Sequence, residues 1–256
     1  MNNDNKESKK MSFFQIPKLD KEGKLSPIDA LNLYRTYLTS FRINHENQSV
    51  RPIRSSIYKQ MCKIHDEQTV KISPIVQSQL DKGGRILFWS DQHFYHTNII
   101  KFSNRPFESV EHMNSSMLTN YFENVLENDV VVFGGDVAFG EVDEVKSLLQ
   151  YLPGIKVLVL GNHEFGKKND YRNYDIFDAT EMCFVFYKMI DKKMCNVLVT
   201  HYPIDNKYLP PNTINIHGHI HVHLADMKNI NMAVEHTQYV PKDLSFQIEE
   251  VFLNYC

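Results

Sequence analysis

The sequence predicts a layered α/β domain over residues 83–256, preceded by a helical extension over residues 1–82. Three observations predict it. Short apolar runs recur after residue 85, each ending in a polar cluster; amphipathic helical patterns separate the first of them; and only helical patterns occur before residue 83. The composition agrees, since 256 residues with 42% hydrophobic and 23% charged side chains can bury a proper core. Such a chain is neither disordered, nor collagen-like, nor a coiled coil.

Residues 1 to about 12 are polar and rich in Lys and Asn, with little to bury, and are expected to fray. Ser26-Pro27-Ile28-Asp29 then starts a helix, with Ser26 as N-cap, Pro27 in the first helical position and Asp29 reaching back to the cap. Ile28, Leu31, Tyr34, Leu38 and Phe41 follow at helical spacing, so one face must pack on the rest of the chain or on a second copy of it. A second helix is expected over 55–64. Ser73-Pro74 starts a third, which stops at Gly83-Gly84 because glycine takes the left-handed conformation at a helix end.

From Arg85 the pattern changes. Ile86-Leu87-Phe88-Trp89-Ser90 leads into Asp91, and Val130-Val131-Val132-Phe133 leads through Gly134-Gly135 into Asp136. Lys156 to Leu160 leads into Gly161-Asn162-His163, Asn196 to Thr200 into His201, and Ile214-Asn215-Ile216 into His217-Gly218-His219. Helical patterns through Met113, Met117, Tyr121 and Val125, and through Val142, Val145, Leu148, Leu149 and Leu152, lie between the first strands. Such alternation means βαβ units with strands covered on both faces, and Trp89 is expected to fill the core. Every polar cluster follows the C-terminal end of a strand, where open α/β sheets gather their ligands.

The clusters are chemically alike. Asp91-Gln92-His93, Gly135-Asp136, Gly161-Asn162-His163-Glu164, Thr200-His201 and Gly218-His219-Ile220-His221 offer Asp, His and Asn donors and no sulfur. That set suits Mn, Fe or Zn in a working site better than a structural zinc site. It exceeds what one metal can use, and matches two metals about 3.5 to 4 Å apart with one bridging carboxylate, which activate water against phosphate esters.

In order and spacing these segments resemble the calcineurin-like metallophosphoesterases, whose motifs are D-x-H, G-D, G-N-H-D/E, H and G-H-x-H. The resemblance spans Arg85 to about Phe252; His93 to Ile100 with Asn104-Arg105-Pro106-Phe107 is similar to a small bacterial and phage-type branch. It implies a β-sandwich flanked by helices and a dinuclear centre of divalent ions, Mn foremost, with Fe, Zn or Ni as alternatives. Asp91, His93 and His221 would hold the first metal, Asp136 would bridge, and Asn162, His201 and His219 would complete the second. His163 would not be a ligand but would face the scissile phosphate, assisting a hydroxide held between the metals. Tyr95, His96 and Arg105 are candidate substrate contacts, Arg105 as a phosphate clamp.

Two departures narrow the reading. Asp136 is followed by Val137-Ala138-Phe139-Gly140 where the family's protein phosphatases carry Asp-Arg-Gly, which argues against a protein phosphatase and removes the Asp that orients the catalytic His there. Tyr95 stands where the resembling branch has glycine, so the mouth of the site is narrower or stacks a base or sugar. The net charge of −3 supplies no global basic field, and a small nucleotide-type mono- or diester is favoured over polymeric nucleic acid. The alternatives are a nuclease or nucleic-acid end-processing phosphatase, and a non-catalytic scaffold. His217 and the remaining histidines, His45, His65, His112, His223 and His236, are assigned structural or surface roles, and Lys167-Lys168 a solvated loop. No apolar stretch approaches membrane-spanning length, the first residues do not read as a signal peptide, and the four cysteines lack CxxC spacing, so a cytoplasmic enzyme with reduced thiols is expected. A homo-oligomer through the N-terminal helices is a further expectation.

Overall fold

The computed structural model describes residues 15–41, 53–165 and 176–256. The expectations for residues 1 to 12, His45 and Lys167-Lys168 lie outside them. Helix α1 spans Pro27–Phe41 and starts as its sequence predicts: Ser26 Oγ accepts the Asp29 N–H at 3.1 Å and donates to the Asp29 carboxylate at 2.6 Å. Its buried face is broader than the predicted stripe. Ala30, Leu31, Leu33, Tyr34, Tyr37 and Leu38 are buried within the one chain, whereas Ile28 is 61% exposed. Ile28 lies in the first turn, and what decides a residue's burial there is the sheet surface beneath, not apolar character.

Helix α2 spans Ser55–Glu67, running past the expected end at Ile64, and α3 spans Ile72–Asp81. Ser73 does not cap α3. The helix begins at Ile72, whose N–H is accepted by the Glu181 carboxylate, 2.7 Å away and distant in sequence. Gly83, at φ +71°, ends the helix as expected.

Two four-stranded sheets follow. The first runs β1 (Ile86–Trp89), β2 (Val130–Phe133), β3 (Ile155–Val159) and β4 (Ala179–Glu181), all parallel in that order. Helices α4 (Thr97–Phe102) and α5 (Val110–Asn124) connect β1 to β2, and α6 (Val142–Leu149) connects β2 to β3. The second runs β5 (Cys183–Ile190), β6 (Lys193–Thr200), β7 (Thr213–His217) and β8 (Asn229–Asn231), with β5 and β6 antiparallel and the other pairs parallel. Helix α7 (Ser245–Tyr255) closes the chain. The architecture is the mixed α/β fold with two sheets that the resemblance implied, where the strand pattern alone indicated only a layered α/β domain.

Period-two alternation explains why the strands read as continuous apolar runs. Ile86, Phe88, Val130, Val132, Val157 and Val159 meet Phe184, Phe186, Val197, Val199, Ile214 and Ile216 in one core. The intervening Leu87, Trp89, Val131, Phe133 and Leu158 pack with Met113, Met117 and Tyr121 of α5 and Val145 and Leu149 of α6. Val185 and Leu198 belong to that second core together with Leu31, Tyr34 and Leu38 of α1. Both faces of the central strands are therefore dry, and each buried aliphatic or aromatic side chain contributes about 1.5 to 3 kcal/mol of transfer free energy. Among the described residues, no helix is long and apolar enough to cross a membrane.

Candidate metal centre and active site

The site forms where β1, β2, β3, β6 and β7 give way to loops. Asp91 (φ 60°), His93 (φ 53°), Asp136 (φ 55°), His219 (φ 68°) and His221 (φ 45°) all adopt left-handed backbone, which costs a non-glycine residue about 1 to 3 kcal/mol. The surroundings hold that strain. The Asp91 N–H donates to Gly135 O at 3.0 Å, His93 N–H to Asp136 O at 3.1 Å, and Gly218 N–H to His201 O at 3.0 Å, so each loop braces the next. Gly135, at φ +97°, could carry no side chain, because a Cβ there would stand 2.7 Å from His201 Nδ1.

Two groups of side chains converge. One ligand atom each of Asp91, His93 and His221 lies within 4.8 Å of the others, and so it is for Asp136, His201 and His219. Asp136 joins the groups: its Oδ2 is 3.8 Å from His93 Nε2, 3.4 Å from His201 Nε2 and 3.8 Å from His163 Nε2. Its other oxygen accepts the His163 N–H at 2.9 Å. Asn162 reaches the second group through Tyr202, whose hydroxyl donates to Asn162 Oδ1 at 3.0 Å and whose ring lies 4.1 Å from that of His219. His163 keeps a side chain 43% exposed, whereas the Asp136 carboxylate is buried beneath it.

The charges of the groups are interlocked. Burial pushes Asp91 upward, with Asp136 adding to it against the pull of His201 and His221. Burial would push Asp136 upward too, but His201 and His163 beside it hold its carboxyl well below the usual range. His201 is the converse, disfavoured as a cation by burial yet raised to about 10 by Asp136. Burial drives His93 and His219 well below the ordinary histidine value.

These residues fit divalent cations. Among the described residues, His93 Nε2 and His201 Nε2 are buried with no hydrogen-bond partner although each faces a carboxylate, and an unsatisfied polar atom in a dry site is costly. A cation between imidazole and carboxylate would satisfy both, and the nitrogen and oxygen donors are those of Mn, Fe or Zn.

Supporting residues were not legible as such in the sequence. Glu164 is fully buried, and its carboxylate accepts the N–H groups of Asp136 and Val137, each at 3.1 Å, and that of Gly161. It therefore ties the loop after β2 to the loop after β3; its place in Gly161-Asn162-His163-Glu164 was the available signal. Glu235 has no sequence signal. Its Oε1 faces His221 Nδ1 at 3.2 Å and accepts from Arg105 Nε at 2.9 Å.

The three candidate substrate contacts fare differently. Arg105 is 4% exposed and spent inside the fold, donating to the carbonyls of Asp91 and Gln92 at 2.7 Å each besides Glu235. His96 lies at the rim, stacked 4.1 Å from Phe139, whose ring is 4.5 Å from that of His163 and 5.2 Å from that of His93. Tyr95 (φ 65°) lays its ring against Gly140 and directs its hydroxyl to Glu144 O at 3.5 Å. His217 is buried with Nδ1 2.9 Å from Gly218 O, and His236 Nε2 is 2.7 Å from His221 O, both structural placements.

The family model described as calcineurin-like phosphoesterase matches residues 84–248. An uncharacterized protein of Methanocaldococcus jannaschii is 31% identical over 176 residues, covering 64% of this chain and 90% of that protein. The crystal structure of a protein of unknown function from Aquifex aeolicus matches at 25% identity and a TM-score of 0.49, over 65% of this chain and 98% of the other.

Proposed function

Since the chain belongs to the calcineurin-like phosphoesterase family, a family of metal-dependent hydrolases of phosphate esters, we propose that it uses two metals and acts on a small nucleotide-type phosphate ester. In this reading Asp91, His93 and His221 would hold the first ion, Asn162, His201 and His219 would hold the second, and the Asp136 carboxylate would serve both, with Mn as the working metal. One observation carries the two-metal reading: Asp136 Oδ2 stands within 3.8 Å of His93 from one group and 3.4 Å of His201 from the other. When bound, two divalent cations supply Lewis-acid stabilisation of the phosphate and acidify water enough for attack near neutral pH.

The protein's own residues do the rest. His163 stands above Asp136 with its backbone fixed by the Asp136 carboxylate and its ring open to solvent, so Nε2 can offer a proton or positive charge to the leaving oxygen. Phe139 packs beside that ring, where the family's protein phosphatases carry a carboxylate, and limits its rotation. Arg105 acts by holding the Asp91–Gln92 carbonyls in place, a role in the framework rather than a clamp on phosphate. His96, stacked on Phe139 at the rim, is the candidate contact for the substrate's non-phosphate portion.

A slightly negative chain supports a small substrate over long nucleic acid. The intact ligand set supports an enzyme over a scaffold. The test is a panel of p-nitrophenyl mono- and diesters, cyclic nucleotides and short oligonucleotides, each with Mn and with chelator. Turnover of the nucleotides that chelator abolishes is expected; turnover confined to oligonucleotides would replace this substrate with nucleic acid, and none with any ester would refute catalysis.

A further inference from the structure

Helix α1 lies outside the residues that the family model matches, yet it reaches the second group of donors. Tyr34 is fully buried, and its hydroxyl accepts the backbone N–H of Tyr202 at 3.1 Å. Tyr202 directly follows His201. Its hydroxyl donates to Asn162 Oδ1 at 3.0 Å, and its ring packs 4.1 Å from His219 and 5.3 Å, edge-on, from His201. One side chain thus touches all the nitrogen and amide donors of that group, and α1 holds its backbone.

We propose that Tyr34 is a positioning residue of the second metal site, acting through Tyr202 to set Asn162, His201 and His219. It rests on the two-metal reading above. The physical reasons are separate for each contact. The Tyr202 hydroxyl donates to Asn162 Oδ1, so it fixes the rotation of that amide with its oxygen, rather than its NH2, on the side of Tyr202 and leaves a second lone pair for an ion. The Tyr202 ring restricts the rotation of the His219 imidazole. The Tyr34 hydroxyl satisfies a buried N–H that would otherwise be free to pull the peptide after His201 toward another acceptor. On the opposite side of His201, Nδ1 faces Gly134 O at 2.7 Å, so its ring is braced at Nδ1 while its backbone is braced from α1. Partners of this kind, one bond removed from a metal ligand, change metal affinity when lost. In this protein such a partner, Tyr202, is itself held by Tyr34 of the helical extension, which makes the extension a support of the active site rather than an appendage.

The experiment titrates Mn into the chelator-stripped full chain and follows metal content, with melting of the metal-free protein recorded beside it. The wild type is expected to take up two Mn per chain. Tyr34→Phe and Tyr202→Phe, which keep the rings and remove the hydroxyls, are expected to weaken the second Mn by about 10 to 100-fold and to leave the first unchanged. Leu38→Ala, a buried change on the same helix, is expected to lower the melting temperature and leave both affinities as they were. Unchanged affinity for the second Mn in Tyr202→Phe overturns the proposal even if Tyr34→Phe fails to fold, because the path to Asn162 runs through that hydroxyl. An effect of Leu38→Ala equal to that of Tyr34→Phe also overturns it, since loosened packing would then be the whole cause. A wild type that takes up one Mn or none refutes the two-metal reading itself, before any variant is compared.

Discussion

The carboxylate of Glu235 stands 3.2 Å from Nδ1 of His221, at the ring nitrogen opposite the one that faces Asp91 Oδ1 at 3.9 Å. The carboxylate selects the tautomer with hydrogen on Nδ1 and leaves Nε2 as a donor to a metal, while Arg105 fixes the carboxylate in turn. Glu235→Gln should therefore weaken the first metal by about 10 to 100-fold with the second largely retained. Metal content at limiting Mn checks this, and equal affinity in the variant would show that His221 needs no such partner.

Asp136→Asn should do more damage than Asp91→Asn. Asp136 faces both groups, while Asp91 belongs to one and is held by Ser90 Oγ at 2.6 Å and the His219 N–H. The expected result is loss of both ions in Asp136→Asn against loss of one in Asp91→Asn, read by elemental analysis after Mn reconstitution. Near-normal metal content in Asp136→Asn would end the bridging assignment.

His163→Ala should separate chemistry from metal holding. Both ions should remain, while turnover falls by roughly 10² to 10⁴-fold, the contribution of a positioned acid or charge stabiliser. Esters with leaving groups of graded pKa distinguish the two roles: a loss that shrinks for p-nitrophenolate means proton donation, and a uniform loss means charge stabilisation. Release of an ion would make His163 a ligand.

Stability should fall with acid through His65. Burial, helped by Lys71 and Arg35, lowers its pKa from 6.5 to about 4, and its Nδ1 accepts the Met182 N–H at 3.2 Å. Between those values the unfolded chain binds a proton that the folded chain refuses, so this contribution is complete above pH 6.5 and is lost as pH falls toward 4. Urea unfolding of the metal-free protein at pH 7.5 and pH 5 should show a smaller drop in His65→Gln than in wild type, since His217 and the site histidines remain in both. Equal drops would assign the acid sensitivity to those other groups.

What the sequence by itself determined is the kind of information that local order carries. Apolar runs that end in Asp91, Asp136, Asn162, His201 and His219 set both the strands and the residues at their ends, because a strand buried on both faces is mostly apolar and can gather charged and metal-competent side chains only where it leaves the sheet. The cap at Ser26 and the stop at Gly83 were legible for the same reason, each being a contact or a backbone preference within a few residues. The tertiary structure alone decided the contacts between segments far apart in the chain. Glu181 capping α3 and Tyr34 beneath Tyr202 join residues 109 and 168 positions apart, and Glu235 behind His221, although 14 positions away, meets it only across the loops around β8, so no short pattern encodes these pairs. The short β4 and β8 and the breadth of α1's buried face belong with them, since three residues have no period of their own and burial is set by the surface that packs against a residue. The left-handed turns at Asp91, His93, Asp136, His219 and His221 are likewise a tertiary outcome, because their strain is sustained by hydrogen bonds from neighbouring loops that meet only after both sheets have formed.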